Sequence, residues 1–203
     1  MNADNLTDEL TRAFPDVPDG LRRLRDRLAV AAEQEGILDV AYRTVDSPVG
    51  SLLLAATEIG LVRVGYASEG HDVVLQTLAD RISPRILIAP KRLDAAAREL
   101  GEYFAGQRRT FDLPLDWQLT TGFRRKVLGR LPEVGYGQTA SYAAIAQLAD
   151  NPKAIRAAAT ACATNPLPVV IPCHRVIHSD GRVGQYLGGP EAKRVLLALE
   201  ALA

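Results

Sequence analysis

Cysteine is scarce in this chain: 203 residues carry two, Cys162 and Cys173, and there are only three histidines. Two thiols are too few for a secreted disulfide framework, so each reads as a reduced thiol. Three unevenly spread imidazoles supply a metal cluster poorly, so no metal and no cofactor are expected. The chain also lacks any run of about 18 uninterrupted apolar residues, and with it a membrane span. Asp4, Asp8 and Glu9 stand where a signal or transit peptide is basic and poor in acids, so a cytoplasmic protein is expected. Net charge is absent as well, 24 basic residues balancing 24 acidic ones.

What is present is length enough for one large or two small domains, at roughly 100–200 residues each, and an uneven division of charge. Residues 1–117 hold 19 acidic and 14 basic side chains, whereas residues 118–203 hold 5 acidic and 10 basic. An anionic partner would therefore meet the C-terminal part. Residues 5–36 read as a helix whose Leu21, Leu24, Leu28 and Ala32 form a packing stripe, although a partner-binding helix shows the same spacing. Alternation through Ala41–Val45, Ser51–Thr57 and Leu61–Tyr66 predicts an antiparallel three-stranded meander. His71–Ile82 and Lys91–Phe104 look helical, with the short apolar segment Ile86–Ile88 between them. Phe111–Trp117, with Pro114 and alternating charge, reads as a linker. Beyond it helices are expected at Gly122–Leu131, Tyr142–Ala149, Pro152–Ala163 and Glu191–Leu202.

Two short helices across Asp150-Asn151-Pro152 make a helix-turn-helix candidate, with Ser141 capping the first and Asn151 the second. Lys153, Arg156, Thr160 and Thr164 form one polar stripe on the second helix, opposite Ile155, Ala158, Ala159 and Cys162. Basic and hydroxyl groups among small residues suit a nucleic-acid groove, and equally an ordinary exposed face. Cys162, on the apolar side, reads as a packed thiol.

The segment Leu167–Ile177 delivers Cys173 directly after a proline, followed by His174 and Arg175, whose positive charge would lower the thiol pKa. That makes a nucleophile candidate. An inert buried thiol and a Cys173/His174/His178 metal fragment remain open. Adjacent side chains of an extended segment point apart, so His174 needs a bridging water or a local turn to serve as base. Glu200, at the edge of the Leu196/Leu199 stripe of the last helix, is a candidate orienter for His174. The glycine-rich stretch Ser179–Pro190 is a loop able to bring backbone amides against a ligand.

Asn165-Pro166, Ile171-Pro172-Cys173-His174-Arg175-Val176-Ile177, then Gly184, Tyr186, Gly188-Gly189, Lys193 and Glu200, in this order and spacing, resemble the O6-alkylguanine-DNA alkyltransferases, the methylated-DNA-protein-cysteine methyltransferases. The resemblance covers about residues 40–203. It implies an α+β fold: a small ribonuclease-H-like domain at 39–112, followed by a helical winged helix-turn-helix DNA-binding domain at 118–203, with residues 1–38 a helical extension. It implies a monomer acting on double-stranded DNA that contains O6-alkylguanine, entered from the minor groove with the damaged base flipped out.

The same resemblance assigns roles. Cys173 takes the alkyl group, His174 removes its proton through a water, Glu200 orients His174, Asn165 braces the turn, and Tyr142 donates to guanine N3. Arg156 fills the gap in the base stack, with Lys153, Ala157, Thr160 and Ala161 along the DNA. Val176, Val183, Tyr186, Leu187 and Lys193 form the substrate pocket, where the carbonyls of Cys173 and Val176 accept from the guanine amine. Ala159 stands where the family usually has glycine, and Leu128 where an aromatic is common. A non-catalytic lesion sensor or regulator on the same fold is the alternative.

Overall fold

The structure, a computed structural model, describes residues 17–201. Helix α1 (Val17–Gln34) covers the C-terminal part of the helix expected over 5–36, and residues 5–16 of that expectation lie outside the described residues. Of the expected packing stripe, Ala32 alone is buried. Leu21, Leu24 and Leu28 are 49%, 60% and 55% exposed, while Ala29 and Ala32 are buried. Alanines let the helix lie close, and Glu33 ties its C-terminal end to Arg92 at 2.9 Å.

Strands β1 (Val40–Val45), β2 (Leu52–Ala56) and β3 (Leu61–Tyr66) form the expected antiparallel meander. Ile86–Ile88 adds strand β4, parallel to β1, giving the order β3-β2-β1-β4. Three residues are too few to show alternation, which is why the sequence alone does not assign this short apolar segment as a fourth strand. Helix α2 (His71–Arg81) covers one face over Val40, Leu53, Ala55 and Val62, placing Val74 and Leu78 against them. The opposite face, with Leu52, Leu54, Val64 and Tyr66, packs into a core shared with helix α3 (Asp94–Phe104) and with the rest of the chain. That β2 is buried at every residue follows from this double cover.

Phe111–Trp117 is not a free linker. Leu61 N–H donates to Pro114 O at 2.8 Å, Asp116 N–H donates to Leu61 O at 2.9 Å, and the buried Asp116 carboxylate accepts from the Thr57 hydroxyl at 2.6 Å. The segment lies along the open edge of β3 at Leu61, whose backbone groups it satisfies, while Val64 N–H on the same edge donates to Pro166 O at 2.9 Å.

Helices α4 (Gly122–Arg130), α5 (Tyr142–Leu148) and α6 (Ile155–Ala163) pack on one another, and α7 (Gly189–Ala201) closes the core. The two-residue strands β5 (Ala140–Ser141) and β6 (Val176–Ile177) pair in parallel and fasten the start of α5 to the segment after Cys173. Ser141 caps α5 as expected, accepting from Ala144 N–H at 3.2 Å. The turn into α6 differs from expectation. Asp150 adopts a left-handed φ of 57°, Asn151 to Lys153 stay in the turn, and the helix starts at Ile155 with Ala154 as a cap that makes no side-chain bond.

Candidate active site

Cys173 is 1% exposed, at the end of a fully buried segment beginning at Asn165. The path there is tightly wound. Ile171 N–H donates to Leu167 O at 2.8 Å, and Cys173 N–H donates to Ile171 O at 2.8 Å across Pro172 at φ −80°, ψ 60°, an inverse γ-turn. Asn165 holds this turn from the side: its Nδ2 donates to Ile171 O at 2.9 Å and to Cys173 Sγ at 3.1 Å, and its Oδ1 accepts from Leu167 N–H at 3.0 Å. Cys173–Arg175 then form a single 3-10 turn. The chain is thus turned rather than extended, and Cys173 and His174 are both buried within it.

The expected lowering of the thiol pKa is corrected by the burial. Desolvation outweighs the donor from Asn165 and the charge of Lys193, and pushes Cys173 up to about 11. Arg175 does not sit against the sulfur as a free cation, because its Nε and Nη2 bind Glu200 at 2.9 Å each. Cys162 is buried and pushed up to about 12, again by desolvation, as a packed thiol should be.

His174 is wholly buried, and its Nε2 lies 2.8 Å from Glu200 Oε1. With the proton on Nε2, shared with the carboxylate, Nδ1 carries a lone pair and has no hydrogen-bond partner in the protein. Burial lowers the His174 pKa while Glu200 opposes that. Burial likewise works against ionised Glu200, yet hydrogen bonds from His174 and Arg175 hold it down at about 2. Tyr103 O–H, at 2.8 Å, and Gly137 N–H, at 3.1 Å, donate to the same carboxylate. This is an imidazole kept neutral beside a fixed anion, which is the state a proton acceptor needs.

Lys193, also fully buried, donates through Nζ to Val176 O at 2.6 Å, and desolvation lowers its pKa. Tyr186 and Tyr66 are buried together, their hydroxyls 2.9 Å apart, so β3 buttresses the glycine-rich loop. A Cβ on Gly188 would meet the Tyr66 ring at 2.6 Å, which accounts for the glycine.

A cavity of about 390 Å³ opens beside this constellation, lined by Tyr142, Ala159, Thr160, Ala163, His178 and Gln185, a size in the range of about 300–1,000 Å³ of small-molecule sites. The Tyr142 hydroxyl reaches so near Gly184 that no side chain fits there. Desolvation raises Tyr142 to about 12, so it is a proton donor at neutral pH.

The structure therefore brings together Cys173, His174, Glu200, Asn165, Tyr186 and Lys193, with Val176 buried among them. Val183 is 39% exposed, and Leu187 lines a second cavity of about 330 Å³ with Arg63, Arg124, Asn165 and Pro166. Arg156, Ala157, Thr160 and Lys153 are exposed, Lys153 in the turn before α6. Ala161 is not on that face: Ala158, Ala161 and Cys162 follow one buried stripe. Ile155, expected on the apolar side, is 43% exposed. His178 and Gln185 line the cavity without having been singled out for it; their nearness to the Cys173 motif was the available signal.

A buried cysteine served by a histidine–glutamate pair, on a helix-turn-helix scaffold packed against a mixed sheet, defines a protein built around a thiol nucleophile. The chain belongs to the 6-O-methylguanine DNA methyltransferase family: its residues 40–117 match the ribonuclease-like domain of that family and residues 122–202 its DNA binding domain. The methylated-DNA–protein-cysteine methyltransferase of Mycolicibacterium paratuberculosis is 37% identical over 161 residues, 79% of this chain and 92% of the relative. The constitutive one of Bacillus subtilis is 36% identical over 80% of this chain and 96% of its own length. The crystal structure of Mycobacterium tuberculosis O6-methylguanine methyltransferase superimposes with a TM-score of 0.70 at 34% identity, covering 80% and 93% of the two chains. The counterpart of that protein in complex with DNA gives 0.69 at 35%, with the same coverage.

Proposed function

We propose that this chain repairs DNA by direct reversal of damage, moving the alkyl group from O6-alkylguanine to Cys173 once per molecule. The observation that carries the reading is the neutral, buried Cys173 thiol, held by Asn165 in one turn with a His174 whose free nitrogen is a base. In the step, Cys173 Sγ forms a bond to the alkyl carbon as the carbon–O6 bond breaks. The thiol proton passes through a water to His174 Nδ1, Glu200 stabilises the imidazolium, and Tyr142 donates to guanine N3. The proton that Tyr142 gives to guanine N3 is restored to it from the His174 imidazolium through solvent, so the thiol proton ends, in the balance, on the departing guanine. A thioether has no leaving group that water can displace readily, so the protein is consumed.

The lesion enters from double-stranded DNA laid along α6 in the minor groove, the base flipped into the cavity beside Tyr142, with Arg156 in the vacated stack. Exposed Arg156, Ala157, Thr160 and Lys153 support that face. Carbonyls of Cys173 and Val176 take the guanine amine, Val176 O already accepting from Lys193. The domains divide at 39–112 and 118–203, the second as a winged helix-turn-helix, and the protein works as a cytoplasmic monomer. Among the described residues no helix is long and apolar enough to cross a membrane. Intact mass after mixing with a duplex bearing one O6-methylguanine tests the reading. A gain of one methyl group on Cys173, saturating at one per protein, is expected. Binding without any gain in mass would replace it with a lesion sensor, and product beyond one equivalent with a hydrolase.

A further inference from the structure

Tyr103 belongs to the N-terminal α+β part, on α3, yet its hydroxyl reaches into the relay of the other half. It donates to Glu200 Oε1 at 2.8 Å and lies 3.5 Å from His174 Nε2. The residue is fully buried, its ring held edge-on or tilted by Phe104, Phe111 and Tyr136 at centroid distances of 5.3, 5.4 and 6.1 Å. Glu200 Oε1 accepts from Tyr103, His174 and Arg175 Nη2 together. A carboxylate oxygen offers about two lone pairs, so these three donors share electron density that two would hold more strongly.

We propose that Tyr103 is a positioning residue for the alkyl transfer, supplied by the N-terminal domain, which competes with His174 for Glu200 Oε1. The competition weakens the carboxylate's hold on the imidazole proton and keeps His174 neutral. The inference rests on the reading that His174 accepts the Cys173 proton. The groups facing His174 are Glu200 from α7, Arg175 and Cys173 on its own turn, Lys193 from α7, Tyr103 from α3 and Tyr186 from the loop, whose ring centroid lies 6.4 Å away. Of the charged ones, Arg175 and Lys193 disfavour the imidazolium and only Glu200 favours it. The Tyr103 hydroxyl therefore acts on the single group that pulls the imidazole toward its charged form.

Tyr103→Phe keeps the ring packing and removes the competitor. The single-turnover rate of methyl transfer from an O6-methylguanine duplex to the full chain, followed by intact mass across pH, reads the result. The acid limb, assigned to His174 by its disappearance in His174→Gln, is expected to move to higher pH by about 0.5–1 unit, a roughly three- to tenfold slower reaction below the limb and little change on the plateau. A limb that stays put, one that moves to lower pH, or an equal loss at every pH, as a merely structural residue would give, overturns the proposal. If the variant does not fold, the wild-type protein decides: a slowly exchanging Tyr103 hydroxyl proton with a nuclear Overhauser contact to the His174 ring is expected, and its absence overturns the proposal. Failure of the wild-type chain to take any methyl group would instead remove the functional reading beneath it.

Discussion

Helix α6 and the Cys173 turn are close in the chain and opposite in construction. On α6, Arg156, Ala157 and Thr160 face outward, and the Thr160 hydroxyl is taken up by the Arg156 carbonyl at 3.0 Å. From Asn165 to Val176 every residue is buried, and the polar side chains there are tied to named partners. Reacting atoms must be held within about half an ångström, so the turn is constrained from many sides. A surface for a phosphate backbone needs only a thin profile and a few reaching cations. Changes in the turn should therefore stop the chemistry, with stability lost as well wherever a buried partner is removed, and changes on α6 should damage binding alone.

Cys173→Ala is the sharpest test of that contrast: methyl transfer should vanish while lesion-DNA binding, followed by gel shift, persists. Glu200→Gln comes next. It leaves Arg175 buried without its counter-ion, so a loss of about 3–5 kcal/mol is expected in denaturant titration, along with a roughly 100-fold slower transfer. Wild-type stability should carry the same signature in acid. Glu200 is held at about 2 in the folded protein, below the unfolded value of about 4.3. Its stabilising contribution is thus complete above about pH 4.3 and is lost as the pH falls toward 2, which denaturation midpoints between neutral and acid pH will follow.

Asn165→Ala strands Ile171 O and Leu167 N–H in the core, for an expected loss of about 1–3 kcal/mol in the same titration. The comparison would break if Arg156→Ala behaved likewise. Its stability should stay within about 0.5 kcal/mol of wild type, while affinity for lesion DNA falls. With few cations near the phosphates, the wild-type dependence of log affinity on log salt should be shallow, about −2 to −4. A slope near −10 would put the binding surface on some other face.

The turn was more legible in the sequence than the parts that serve it. Pro172-Cys173-His174-Arg175 is a local pattern, and Glu200 and Lys193 follow at family spacing. Tyr103, Gly137 and Tyr66 reach the site from distant points of the chain, through contacts no periodicity reports. Arg175 was read as a charge acting on the thiol, and only the fold shows it clasping Glu200. The secondary structure was recoverable where patterns were long, as in the meander and α3. It failed where elements were short, as at β4, or where backbone geometry decided, as at Asp150, whose left-handed turn delays α6 to Ile155. On α1 the three leucines of the expected packing stripe are exposed, and its fourth member, Ala32, docks the helix together with Ala29.

Burial of Cys173 also governs what happens between lesions. Burial pushes the Cys173 thiol up to about 11, so it stays protonated at neutral pH, and peroxides and soluble electrophiles attack the thiolate. For a protein with a single equivalent to give, each stray oxidation is a lost repair. The closed turn thus sets a shelf life: on the proposed function, reactivity is withheld until a flipped base arrives next to Tyr142.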